Sequence, residues 1–141
     1  MARKRAGRGA QLSVEFLALL GAVLAIGVVL FLYADDAVRD FNSRLASAQA
    51  RSAVSRTADA ATRVYRQGAG ARDTFWLSLP RGTRTFNASG QTIVLVLDSG
   101  DSAGFHESLP FNISGSLPAS PGLLKARVNA IPSGVEVGIS S

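Results

Sequence analysis

Four groups of residues have the types and spacing from which chemistry is built. Gly100-Asp101-Ser102-Ala103-Gly104 fits the G-x-S-x-G pattern of a nucleophile elbow, in which a sharp turn lifts a serine hydroxyl above a sheet. Asp98, Asp101 and Glu107, with His106 among them, are donors of the kind a hard cation such as calcium takes. Asn87-Ala88-Ser89 and Asn112-Ile113-Ser114 are acceptor sequons for N-glycosylation. Glu15 is a single carboxylate at the mouth of a long uncharged run.

The surrounding sequence decides what each group can do. An elbow needs a strand before its serine and a helix after it, whereas Phe105 to Phe111 contains Pro110 and has no helical period. A serine nucleophile also needs a base, and the one histidine, His106, follows Ser102 too closely to fold back onto its hydroxyl. Residues 100–104 therefore read as a glycine-rich turn, and no catalytic residue, cofactor or enzymatic activity is expected. The acidic residues lack the alternating oxygen ligands and twelfth-position Glu of an EF-hand loop, so they read as solvating a turn, with a looser cation site left open. Cysteine is absent, which removes disulfides, thiolate metal sites and cysteine nucleophiles together. Asn87 and Asn112 are either glycan acceptors or plain turn and strand-end asparagines.

Glu15 belongs to the stretch around which the chain is organised. From Phe16 to Ala34 no side chain is charged over nineteen positions, which as a helix covers about 28 Å, enough to cross a bilayer core. Arg3, Lys4, Arg5 and Arg8 precede the run and Asp35 and Asp36 follow it, so the bias of basic residues toward the cytoplasm places the amino end inside and residue 35 onward outside. The same residues explain the formal charge: without the four leader cations it falls from +5 to +1. The basic balance is thus topological, and nucleic acid is not an expected partner. An ordinary secretory signal fits poorly, because the apolar run is too long and no A-x-A site follows Leu32-Tyr33-Ala34-Asp35. An uncleaved single-pass anchor accounts for the hydrophobicity and the charges but gives no reason for Glu15.

The arrangement of Arg3 to Arg8, Gly9-Ala10-Gln11, Glu15-Phe16 and the apolar run to Ala34 resembles the class III signal peptides of archaeal type IV pilin-like proteins. The resemblance implies removal of residues 1–10 by a prepilin peptidase between Ala10 and Gln11, with Glu15 becoming the fifth mature residue and Phe16 the sixth. It further implies that Glu15 and Phe16 serve assembly, Glu15 by meeting the new amino group of a neighbouring subunit. The implied partners are identical or related subunits, the peptidase, and an assembly ATPase with its membrane platform. The resemblance is specific over residues 3–34 and only general over 70–141.

Beyond Ala34, residues 35–67 contain neither Pro nor Gly and are rich in Ala and Arg until Gly68-Ala69-Gly70, so one helix is expected over 11–67, its span about 16–34 in the membrane. Val38, Phe41, Leu45 and Ala48, then Ala58, Ala61 and Tyr65, recur at helical spacing and predict a narrow, alanine-rich face for a sheet or another helix. Arg39, Arg44, Arg51, Arg56, Arg63 and Arg66 fall between them as a solvated face. From Asp73 the period becomes two. Strands are expected at 74–79, with Phe75, Leu77 and Leu79 opposite Trp76, at 83–87 and at 91–97, the last apolar on both faces and therefore central. A short edge strand is expected at 108–114, and a hairpin of 124–130 with Val135, Val137 and Ile139. The expected fold is α+β: a long N-terminal helix packed against an extracellular antiparallel sheet of five or six strands over 70–141. The expected function is a structural, pilin-like subunit, membrane-held before assembly and in a cell-surface filament after it, serving adhesion or attachment. The alternative is a membrane-anchored surface domain that binds a ligand or partner protein.

Overall fold

The computed structural model describes residues 6–98 and 103–140, with side chains from Ser13 on. The fold is α+β: helix α1 (Ala6–Gln67) is followed by seven strands, β1 (Arg72–Leu79), β2 (Thr83–Ser89), β3 (Thr92–Leu97), β4 (Gly104–Ser108), β5 (Ile113–Leu117), β6 (Gly122–Ile131) and β7 (Gly134–Ile139). Two compact units divide the chain, Met1–Asn42 and Ser43–Ser141.

In the second unit, α1 runs without a breaker to Gln67 and stops where Gly68 takes a φ of 92°, a conformation glycine adopts without a Cβ clash. The Gly68 amide donates to the Tyr65 carbonyl and that of Ala71 to the Gly68 carbonyl, closing the turn into β1. The strands form one sheet in the order β1-β6-β7-β5-β2-β3-β4. Its apolar face carries Leu77, Leu79, Phe86, Ile93, Leu95, Ile113, Val128 and Val135. These join Ala50, Ala53, Val54, Ala58, Ala60, Ala61 and Val64 of the helix in a single buried cluster. Thr57 is fully buried in this face, and its hydroxyl donates to the Ala53 carbonyl at 2.9 Å, so the polar atom carries its own partner inward.

In the uncut chain α1 starts at Ala6, within the basic leader, and ends at Gln67. Several sequence expectations are corrected. Among the described residues seven strands replace five or six, and one pairing is parallel: β5 with β7, Ile113 opposite Val135 and Gly115 opposite Val137. No strand spans 108–114. Pro110 lacks the amide a ladder requires, so β4 ends at Ser108 and β5 begins at Ile113. The edge is taken by β4, while β5 lies between β7 and β2. Strand β3 is one place in from that edge rather than central. Its outward Val94 and Val96 are half-buried, and Ile93, Leu95 and Leu97 are buried. Ile139 is exposed because the buried face of β7 ends with Val137. Val38, Phe41 and Leu45 are exposed as well, and the buried helical face is carried by residues 50–64. Tyr65 is half-exposed but stacks on Phe111, with ring centroids 4.2 Å apart.

The parallel pairing depends on two glycines. A Cβ at Gly115, where φ is 131°, would sit 2.0 Å from the Val137 carbonyl oxygen, and one at Gly134 would sit 2.1 Å from that of Asn112. Both neighbours are backbone and cannot swing aside. Gly21, in contrast, has nothing within 4 Å of an added Cβ. Gly115→Ala is expected to destabilise the sheet by about 3 kcal/mol or more, combining a disfavoured φ with backbone overlap. Gly21→Ala is expected to leave the thermal midpoint unchanged. Near-UV circular dichroism melts of the full-length variants in detergent check both outcomes.

Candidate functional site

The candidate site begins in the first unit, where the helix presents an unbroken apolar surface. Ala10 and Gln11 lie within α1, but their side chains fall outside the described residues, as do Arg3, Lys4 and Arg5 altogether. Glu15 is exposed and is followed one position on by Phe16, itself 65% exposed. Fourteen large apolar side chains between Val14 and Tyr33 are exposed. Transferring them from water would release roughly 20 kcal/mol or more at 1.5–3 kcal/mol each. That exceeds the whole net stability of an ordinary domain, about 5–15 kcal/mol, so the surface requires an apolar cover. The helix is long and apolar enough to cross a membrane, and none of its most apolar window is buried by the chain. The chain is therefore compatible with membrane anchoring.

Past the apolar run, Asp35 and Arg39 pair at 2.8 Å across one helical turn. Gly21 and Gly27 meet nothing that an added Cβ would touch, so contacts among the described residues give no reason for their small size.

In the second unit the other candidates are dispersed. Gly100, Asp101 and Ser102 lie outside the described residues. On either side, β3 ends at Leu97 and β4 begins at Gly104, and the Leu97 amide donates to the Ala103 carbonyl at 3.1 Å. The motif thus joins two antiparallel strands, whereas a nucleophile elbow leads into a helix. Asp98 and His106 are exposed and Glu107 is half-buried, and among the described residues no three acidic or histidine side chains gather to hold a metal.

Both sequon asparagines are exposed. Asn87 projects from the polar face of β2, between buried Phe86 and Ala88, with Val94 and Ser116 as its cross-strand neighbours. Asn112 precedes β5; its side chain is exposed while its backbone carbonyl accepts from the Val135 amide at 2.9 Å.

One feature escaped sequence reasoning. Arg56, Asp59, Thr62, Arg63 and Arg66 of α1 line a groove of about 570 Å³ whose other wall is Phe75 and Trp76 of β1. Arg63 pairs with Asp73 at 3.1 Å, and Trp76 is 57% exposed. The arginine spacing alone does not distinguish this groove from a solvated face; the outward indole at position 76 was the available signal.

In comparison with known proteins, the chain matches no protein family, no curated protein and no solved structure.

The apolar surface gives a direct expectation. Ala25→Arg with Val28→Arg places two cations near the middle of the run, where each costs about 2.5–3.5 kcal/mol in a bilayer. The variant is expected to move largely into the alkaline-carbonate-soluble or aggregated fraction. Val38→Arg, beyond the run, is expected to stay with the membrane pellet. Immunoblots of the two fractions check the pair.

Proposed function

We propose that the chain is a pilin-like structural subunit of an archaeal type IV pilus-type surface filament, with a role in adhesion or surface attachment. The observation that carries this reading is one carboxylate, Glu15, at the head of a helical apolar surface that the described residues leave uncovered. An anchor alone needs the apolar surface but has no use for the charge.

In this reading a prepilin peptidase cuts between Ala10 and Gln11 while the amino end faces the cytoplasm and the β-head faces outside. An assembly ATPase and its membrane platform then raise the subunit into a filament. Cleavage creates an α-amino group at Gln11, one helical turn before Glu15. At the membrane edge both charges reach water. Within a filament core they do not, and a lone buried charge there costs several kcal/mol. A carboxylate of one subunit meeting the amine of the next is satisfied at only one axial stagger. The pair then selects the register while Leu, Val and Ile supply the attraction.

Glu15→Gln and Glu15→Val are expected to be cleaved normally and to lower filament yield at least tenfold, scored by immunoblot for processing and by electron microscopy of sheared material. Abundant filaments from either variant would overturn the assembly role. Mature protein from sheared material is expected to begin at Gln11. Protein that keeps Arg3 to Arg8 would instead identify the uncleaved, membrane-anchored binding domain.

Exposed Asn87 and Asn112 support glycan attachment on the outer head. The intact mass of native material is expected to exceed that of the polypeptide, and Ser89→Ala with Ser114→Ala is expected to remove the excess. A native mass equal to the bare chain would exclude the modification.

A further inference from the structure

We infer that a glycan on Asn87 lies along the outer face of the sheet, with its first sugar seated over Val94 and Val96. The inference rests on the glycan reading above and adds which of the two sequons has a seat for its sugar and what that sugar touches.

The outer face of β7, β5, β2, β3 and β4 is polar apart from one spot. Among the described residues of these strands, the apolar side chains that alternate away from the helix are Val94 and Val96 of β3, both half-buried. The sequon asparagine stands beside them. Asn87 is directly opposite Val94 in the antiparallel β2–β3 pair and diagonal to Val96, whose own partner is Thr85. Opposite residues on one face hold their Cβ atoms about 5 Å apart, and diagonal ones about 7–8 Å. A pyranose joined to Asn87 Nδ2 therefore reaches both valines with no change in either strand.

The chemistry of the surroundings matches that of a sugar ring, which carries C–H groups on its faces and hydroxyls around its rim. The valine methyls lie at the centre of the spot, and covering them removes apolar area from water. Exposed polar side chains flank them: Ser116 is the partner of Asn87 on β5, and His106 is the partner of Val94 on β4. Attachment selects the occupant. A free saccharide would lose its translational freedom on docking to so small a patch, whereas a tethered one has lost it already. Asn112 has no such seat, because it precedes β5 outside the paired strand registers.

Three full-length chains test the contact: the unaltered sequence, Ser114→Ala, which keeps only the Asn87 sequon, and Ser89→Ala, which keeps only that of Asn112. Each is made in a host that glycosylates such sequons and in one that does not. Thermal midpoints from near-UV circular dichroism in detergent are compared between hosts, so that the effect of each substitution itself cancels. The unaltered chain and Ser114→Ala are expected to gain about 4 °C or more from the glycan, and Ser89→Ala about 1 °C or less. Adding Val94→Thr to the Ser114→Ala chain is expected to halve its gain at least. Equal gains from the two single-sequon chains, or a gain that Val94→Thr leaves intact, overturn the inference. So does a Ser114→Ala chain whose intact mass shows the glycan but whose midpoint does not move; glycosylation then stands without this contact. A Ser114→Ala chain with the bare polypeptide mass from the glycosylating host removes the inference and the glycan reading at Asn87 together.

Discussion

The apolar face of the sheet rests against one helix, and the stretch from Ala50 to Val64 makes that contact. Alanine at positions 50, 53, 58, 60 and 61 lets the helix approach the strands closely, and the volume is then filled from the sheet side by Phe86, Leu77, Ile93, Leu95 and Val128. Interiors pack at crystal-like density, so large side chains on one surface call for small ones on the other. The polar outer face follows from the same arrangement. With one layer of helix and one of strand, the outer face of β1 and β2 is left to water, including Trp76 and Asn87.

What could be read in the sequence was whatever depends on neighbours a few residues apart. The stop at Gly68, the alternation of Phe75, Leu77 and Leu79 against Trp76, and the hairpin of 124–130 with Val135 and Val137 all arise from local rules of turn and period. The parallel pairing of β5 with β7 was not legible, because Ile113 and Val135 are joined through a register that no local pattern specifies. For the same reason the apolar run of β3 suggested a central place, when its outward valines are only half-covered one strand from the edge. Helical periodicity marked Val38, Phe41 and Leu45 as a face but carried no information on what would meet it.

The two halves of the candidate site differ in legibility for a related reason. A carboxylate before nineteen uncharged residues is conspicuous in any structural context, so Glu15 stood out by type and position. The arginines at 56, 63 and 66 acquire meaning only once β1 brings Phe75 and Trp76 beside them. Chemistry carried by a single residue in a biased stretch can be found by reading along the chain; chemistry assembled between elements requires the fold.

The order of the strands sets a schedule for the alanine face. Strand β1 pairs with β6 from Arg72 opposite Asn129 to Leu79 opposite Gly122, and β2 to β5 occupy the chain between them. During synthesis Ala50–Val64 therefore emerges well before the buried residues of β6 and β7 that complete its cover. A waiting surface of methyl groups offers less apolar area to other unfinished chains than a stripe of leucines would. The side chains that permit close packing in the finished head are thus also those best suited to standing uncovered while the head is still being made.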